Sequence, residues 1–247
     1  MKNIIFCEGK TDAILLSYYL GEVVRWSFNK KLTKNIGLPI RNFENEEVNV
    51  YTKGEDELVI WAVGGASNFN FALTNIIEAN KAFEKENSYK KLVILTDRDQ
   101  AEDDREILER FECNLINQEI RVGTLRNNEW STCSYLNKYD EENEVKVLPI
   151  IIPFNKKGGL ETFILDAITD FGEEEAYIVN KSKEYINGFD LINYLNNQRL
   201  KLKGELAVTL GTMFPQKTFT PIDSMLKDIN WEEYRTIQEG FRKLEEI

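Results

Sequence analysis

No histidine occurs anywhere in this 247-residue chain, and this absence excludes several classes of enzyme at once. Nucleophilic mechanisms that use histidine as the base are excluded, and so are zinc and iron sites that need histidine ligands. Any hydrolytic chemistry must therefore depend on carboxylates, lysine, tyrosine or a hard metal ion.

Cysteine is also scarce, and its spacing fits no metal or disulfide framework. The three cysteines, Cys7, Cys113 and Cys133, are far apart and form no CxxC pair. Zinc sites bring such ligands in closely spaced pairs, and small secreted proteins carry even sets of cysteines. We therefore predict reduced thiols within the hydrophobic core.

Long apolar runs are missing as well. Residues 150–152 form an apolar run that is far too short to span a bilayer. The apolar stretch at residues 3–7 meets a charge at Glu8, so it lacks the apolar length and cleavage site of a signal peptide. We expect a cytoplasmic protein with no membrane association.

The charge balance is acidic, with 31 basic and 42 acidic residues and a net charge of −11. A protein that holds a polyanion by itself usually presents a basic surface. A nucleic-acid enzyme of this composition would need a local basic patch, or a partner subunit that supplies affinity. The candidate patches, which solvated loops would also explain, are Lys30, Lys31 and Lys34 with Arg41, and Lys156 with Lys157.

Hydrophobic residues make up 42% of the chain, enough for a sizeable core, and their pattern indicates an α/β fold. Short β-prone runs alternate with helical patterns, which is typical of a parallel sheet with right-handed crossovers. The predicted strands are residues 3–7, 58–63, 92–95 and 145–152, with a weaker strand or hairpin signal at 119–135. One predicted helix begins near residue 11, and three more cover about 68–86, 100–111 and 160–168.

The polar stretch at residues 27–57 is interpreted as an insertion or long loop. From about residue 173 the pattern becomes helical, with predicted helices at 173–186, 188–197, 203–213 and 231–245. We therefore divide the chain into an α/β domain of residues 1–170, with the insertion at about 27–57, and a mostly helical C-terminal region of residues 171–247.

Charged or glycine-rich segments follow three predicted strands directly. They are Glu8-Gly9, Gly64-Gly65 and Asp97-Arg98-Asp99. In open α/β sheets, ligands gather at the carboxyl ends of the strands, so these segments should meet there. Carboxylates held close together repel unless one is protonated or a cation lies among them. Oxygen ligands without histidine or cysteine select a hard ion, most simply Mg²⁺ or Mn²⁺.

These segments have the order and setting of the motifs of a known family. The chain reads Cys7-Glu8-Gly9-Lys10-Thr11-Asp12 (an EGxxD pattern), then Val63-Gly64-Gly65, then Thr96-Asp97-Arg98-Asp99 (a DxD after a strand). Residues 1–155 thereby resemble the Toprim domain, found in type IA and type II topoisomerases, bacterial primases, OLD-type nucleases and small ribosomal-RNA maturases. The resemblance implies a Toprim-like Rossmannoid parallel sheet flanked by helices. Residues 159–163 and the helical tail look similar to a stand-alone Toprim group.

The resemblance also implies roles for individual residues. Glu8 corresponds to the Toprim glutamate, a metal ligand or general acid/base, and Asp97 and Asp99 correspond to the DxD metal ligands. Asp12 matches the EGxxD aspartate and would cap or brace the first helix. Glu161 is a candidate fourth acidic ligand for a second ion, although its position at a helix start also explains a carboxylate there.

Several assignments stay open at this point. Asp103 or Asp104 could replace Glu161 as the further ligand, or could simply start a helix. Lys10, or Lys201 and Lys203, could neutralise transition-state charge. Gly9 and the pair Gly64-Gly65 would support the site, the pair either as a plain turn with positive φ or as a close approach to phosphate.

The resulting hypothesis is a Toprim nuclease that cuts DNA or RNA with Mg²⁺ or Mn²⁺ and that could act as the effector subunit beside a separate ATPase. The first alternative is a non-catalytic Toprim-fold protein that binds a metal or a partner through the acidic pocket. The second is a phosphotransfer fold with Asp97 as nucleophile, although its DxD normally follows the first strand. Oligomeric state is left open.

Overall fold

Seven β-strands form one sheet in the computed structural model, which describes residues 1–41, 46–191, 193–217 and 219–247. The sheet order is β2-β3-β4-β1-β5-β7-β6. Strands β4, β1, β5 and β7 run parallel, and β2, β3 and β6 pair antiparallel at the two edges. The strands are β1 (Lys2–Cys7), β2 (Ser27–Phe28), β3 (Glu46–Lys53), β4 (Asp56–Val63), β5 (Tyr89–Asp97), β6 (Ser131–Leu136) and β7 (Glu142–Ile152).

Helices cover both faces of this sheet, which confirms the predicted α/β class. They are α1 (Lys10–Glu22), α2 (Lys30–Lys34), α3 (Phe69–Ala82), α4 (Arg105–Asn117), α5 (Leu160–Phe171), α6 (Glu173–Asn187), α7 (Gln198–Met213), α8 (Ile222–Met225) and α9 (Arg235–Phe241). None of the helices in the described part of the chain has the length and apolar character needed to cross a membrane.

The central strands are apolar throughout because both of their faces are buried. Side chains alternate between the faces. Ile5 of β1 packs with α1, α5 and the C-terminal helices, while Ile4 of β1 packs with α3 and α4. The C-terminal segment joins the first of these clusters through residues such as Leu210 and Trp231. The predicted domain boundary near residue 170 falls at the end of α5.

The stretch at residues 27–57 is not the irregular loop that its polarity predicted. It contains β2, α2 and β3, and β3 pairs along its whole length with β4. In β3 the buried residues Val48 and Val50 alternate with polar residues. Because of these polar residues, a prediction based on composition misses the strand. Residues 42–45 of this predicted loop lie outside the described residues.

Two helix predictions differ from the structure. The third helix begins at Arg105 rather than near residue 100, because Asp99 has φ of +51° and pairs with Gly158 instead of entering a helix. Residues 188–191 and 193–197 are not helical, and Asn197 instead caps the start of α7. Residue 192 lies outside the described residues.

The segment at 119–135 contributes a bridge between Arg121 and Ser134 and most of β6. The segment at 231–245 is a short helix, α9, between 3-10 turns. The prediction of core thiols holds for Cys7 and Cys133, which are buried and free, but is wrong for Cys113. Cys113 lies on the exposed side of α4, whose buried side carries residues such as Phe111 and Leu115.

Candidate active site

Glu8 and Asp97 lie together at the carboxyl ends of the adjacent parallel strands β1 and β5. One carboxylate oxygen of Glu8, Oε1, accepts hydrogen bonds from the Thr96 hydroxyl at 2.7 Å and from the Asp97 backbone amide at 2.9 Å. The register of β1 on β5 creates this contact between residues almost ninety positions apart. The structure therefore brings together two of the acidic residues that the sequence pattern singled out.

The Gly64-Gly65 turn holds the backbone of Glu8. The two glycines have φ of +79° and +116°, a region that L-residues avoid. In this conformation the Gly65 amide donates a hydrogen bond to the Glu8 carbonyl at 2.8 Å. The glycine pair thus positions Glu8 through the backbone at the end of β4.

Asp97 is held from a second side by the start of α5. Its Oδ1 accepts a hydrogen bond from the Leu160 amide at 2.9 Å. The preceding residue, Gly159, lies so close that a Cβ atom there would collide with the Asp97 carboxylate. The Gly158-Gly159 turn after β7 therefore serves the site by allowing backbone to approach a carboxylate.

Asp12 and Glu161 complete the acidic group. Asp12 is 6% exposed and accepts a hydrogen bond from the Gly9 amide at 2.9 Å, which braces the start of α1 as expected. Burial, and then the charge of Glu8, raise the pKa of Asp12 to about 7. Glu161, in the first turn of α5, also contributes to this rise.

Asp97 has the most perturbed carboxyl group of the site. Burial, and then the charges of Asp12, Glu8, Glu161 and Asp99 in that order of size, raise its pKa to about 9. These carboxylates are close enough to repel one another, and the surrounding protein compensates them incompletely. This is the electrostatic state in which a cation would be stabilised.

The other residues of the DxD segment are fixed by the loop after β7. The Asp99 amide donates to the Gly158 carbonyl at 2.7 Å. Arg98 is 6% exposed, donates from Nε to the Pro153 carbonyl at 2.9 Å and forms an ion pair with Asp104. Asp104 is thus engaged by a cation.

Asp103 accepts a hydrogen bond from the Arg105 amide and so stabilises the start of α4.

The proposed lysines differ in their surroundings. Lys203 of α7 lies 3.7 Å from Glu161, which ties the C-terminal region to the site. Lys10, the first residue of α1, is exposed. Lys156 and Lys157 are engaged by Asp166 and Glu102 at 2.6 and 2.5 Å.

Sequence reasoning missed Thr96, Arg98 and Gly159 as contributors to the site. Thr96 and Arg98 flank Asp97 in the DxD segment, so their position was a usable signal. The role of Gly159 had no local signal, because it depends on the packing of the β7–α5 turn against β5.

The acidic residues open into a cavity of about 310 Å³. Its walls include Glu8, Asp97 and Asp99. In the part of the chain that the structure describes, no three acidic or cysteine side chains stand in liganding geometry around one point. The donor set nevertheless has the chemistry that a hard divalent ion requires, since it consists of carboxylate oxygens with uncompensated charge.

Fold and site together define a mostly parallel α/β protein with an acidic centre at the carboxyl edge of its sheet. The chain belongs to the family described as a protein of unknown function, DUF3226, whose model matches residues 2–210. None of the curated proteins matches the sequence.

Among solved structures, a hypothetical protein from Pyrococcus horikoshii OT3 is similar over 98% of this chain and 99% of its own, with 18% identity and a TM-score of 0.51. This similarity supports the fold. A glyoxalase/bleomycin resistance protein/dioxygenase family enzyme from Burkholderia phytofirmans PsJN aligns over 60% of this chain and 96% of its own, at 13% identity, but its TM-score of 0.19 carries no argument.

Proposed function

We propose that this protein is a Toprim-type nuclease that cleaves nucleic-acid phosphodiesters with Mg²⁺ or Mn²⁺. The observation that carries the proposal is the contact between Glu8 and the Thr96-Asp97 segment at 2.7 and 2.9 Å. It joins the EGxxD and DxD motifs at one edge of the sheet. The raised pKa of Asp97, to about 9, supports the same reading because uncompensated carboxylates mark functional sites.

Glu8, Asp97 and Asp99 would hold the ion, with Glu161 as a candidate for a second ion. A bound divalent ion would supply Lewis-acid stabilisation of the charge that develops on the phosphate. The protein contributes orientation: the Thr96 hydroxyl holds Glu8, and the Leu160 amide holds Asp97. Lys10, exposed beside the site, would neutralise charge on the substrate.

The acidic balance of the chain bears on its partners. With a net charge of −11, the protein would gain nucleic-acid affinity from a partner subunit, for which a separate ATPase is the proposed candidate. We expect the purified chain to act weakly alone and more strongly with a co-purifying subunit.

The direct test is cleavage of supercoiled plasmid DNA and of a labelled RNA, with Mg²⁺, with Mn²⁺ and with EDTA. We expect cleavage only with a divalent ion, and a loss of about 10²-fold or more in the variants Glu8→Gln and Asp97→Asn. Both substitutions keep the side-chain shape, so circular dichroism should show unchanged folding.

Asp140→Asn is the matched control. Asp140 lies in the β6–β7 turn, at the sheet edge opposite the site, and its φ of +60° is one that asparagine tolerates. Cleavage that persists in EDTA, or that survives unchanged in both site variants, would show that a contaminant or another site is responsible.

A non-catalytic role is the second candidate, and one observation favours it. Glu8 and Asp97 already accept hydrogen bonds from the protein, and the described residues contain no ready-made group of three ligands. Tight metal binding by calorimetry, with no cleavage of DNA or RNA by the chain and its co-purifying partners, would support this second candidate.

A further inference from the structure

A second groove adjoins the acidic cavity. It has a volume of about 580 Å³ and lies between the start of α3 and the exposed side of α4. The cavity and the groove share wall residues, including Thr96 at the end of β5 and Arg110 of α4. The groove and the acidic centre are therefore direct neighbours.

Arg110 is the cation of this groove. It is exposed, and among the residues that the structure describes no carboxylate lies within ion-pairing distance of it. Other arginines of this region are engaged: Arg105 pairs with Glu109 at 2.9 Å and also with Glu112, and Arg98 pairs with Asp104. The guanidinium of Arg110 thus keeps its donors for a ligand, and phosphate is the ligand that such donors match best.

The remaining walls suit an unpaired nucleotide. Phe69 and Phe111, which are buried and pack edge to face with centroids 5.7 Å apart, form the apolar floor, and Asn70, Asn114 and Asn117 supply amides. Amides of this kind can hydrogen-bond the edges of unstacked bases. The volume is that of a small-molecule site, which admits one or two nucleotides of a single strand.

Two acidic residues, Glu106 and Glu109, also line the groove. Glu106 lies one helical turn before Arg110 and lines both the cavity and the groove. Arg110 also lines both, and the two side chains form no ion pair, since no carboxylate lies within ion-pairing distance of Arg110 among the residues that the structure describes. Glu109, also in the wall, is neutralised by Arg105.

We propose that this groove binds the single-stranded nucleic acid next to the scissile phosphodiester, with Arg110 holding a phosphate. The inference rests on the proposed function and adds the substrate class, single strands. Arg110 lines the groove together with Glu106 and Glu109, so the positive charge offered to a phosphate is local to its guanidinium.

The test is fluorescence anisotropy with a labelled 20-nucleotide single strand, as DNA and as RNA, and with the duplex of the same sequence. Ca²⁺ replaces Mg²⁺ so that the carboxylates have a hard ion. We expect the single strand to bind at least tenfold more tightly than the duplex, and Arg110→Ala to weaken its binding about tenfold. The slope of log K against log salt should decrease by about 0.7, the value for one phosphate contact on a single strand.

Arg121→Ala is the matched control, since Arg121 is an exposed arginine near the β6 edge that pairs with Glu142 at 3.1 Å. It should change affinity less than twofold. Arg110→Lys should keep the salt slope, because it keeps the charge. Equal affinities for Arg110→Ala and Arg121→Ala, an unchanged salt slope, or a duplex that binds as well as the single strand would overturn the inference.

Cleavage measured on the same proteins separates this inference from the proposed function. Metal-dependent cleavage by the wild type, with KM unchanged in Arg110→Ala, would refute the binding role of the groove and support the proposed nuclease activity. Binding that depends on Arg110, without any cleavage, would refute the proposed nuclease activity and support the binding role of the groove. A wild type that neither binds nor cleaves single strands would refute both.

Discussion

Replacing Asp97 by asparagine is expected to stabilise the metal-free protein at neutral pH. The folded protein raises the pKa of this carboxyl from 3.8 to about 9. Between these two values the folded state keeps a proton that the unfolded chain has released. The stability of the wild type therefore falls as pH rises through this window, and the asparagine variant, which has no proton to lose, escapes that loss.

The size of the effect follows from the pKa difference. Each pH unit above the unfolded value is worth about 1.4 kcal/mol, so the full linkage amounts to roughly 5 kcal/mol at pH 7.5 and roughly 1–2 kcal/mol at pH 5. Relaxation of the site and entry of water reduce such costs in real proteins. We therefore expect a gain of about 2–4 kcal/mol at pH 7.5 and less than about 1 kcal/mol at pH 5. The asparagine oxygen can still accept the hydrogen bond from the Leu160 amide.

The assay is urea unfolding in EDTA, followed by tryptophan fluorescence. Trp61 and Trp231 are fully buried, so unfolding changes their surroundings. Wild type and Asp97→Asn are compared at pH 5 and pH 7.5, with Asp140→Asn as the exposed-carboxylate control. The quantity of interest is the difference between the two pH values, because a general effect of the substitution cancels in it.

Two results would refute the reasoning. An Asp97→Asn variant less stable than the wild type at pH 7.5 would mean that the carboxylate is ionised and compensated. A stability gain that is equal at both pH values would mean that the gain does not come from titration. Adding Mg²⁺ at pH 7.5 should stabilise the wild type by RT ln(1 + [Mg²⁺]/Kd) and leave the variant nearly unchanged.

Two further substitutions test how the site is held. Gly159→Ala places a Cβ against the Asp97 carboxylate and should lower the free energy of unfolding in urea by about 1–3 kcal/mol. Gly123→Ala, where no heavy atom lies within 4 Å of the new Cβ, should leave it unchanged. Equal costs for the two variants would refute the close approach of Gly159 to Asp97. Arg98→Ala deletes a buried cation from its ion pair and should cost about 3 kcal/mol or more, whereas the exposed Arg126→Ala should change stability by less than about 0.5 kcal/mol.

Part of the fold could be read from the sequence because it depends on short-range patterns. Strands β1, β4, β5 and β7 are apolar runs, and a run buried on both faces needs no knowledge of its neighbours to be recognised. Strand β3 was missed because polar residues such as Glu47 and Asn49 alternate there with the buried Val48 and Val50. The late start of α4 was missed because it depends on the pairing of Asp99 with Gly158, a contact across the chain.

The sequence by itself determined the α/β class and the order of the motifs that contain Glu8, Gly65 and Asp97, since local hydrophobic periodicity and the residues at strand ends carry that information. Only the tertiary structure decided which donors hold those carboxylates. The Thr96 hydroxyl meets Glu8 from a position 88 residues away, and the Leu160 amide meets Asp97 from 63 residues away. Such contacts depend on the register of β1 on β5 and on the packing of α5, and no local pattern encodes them.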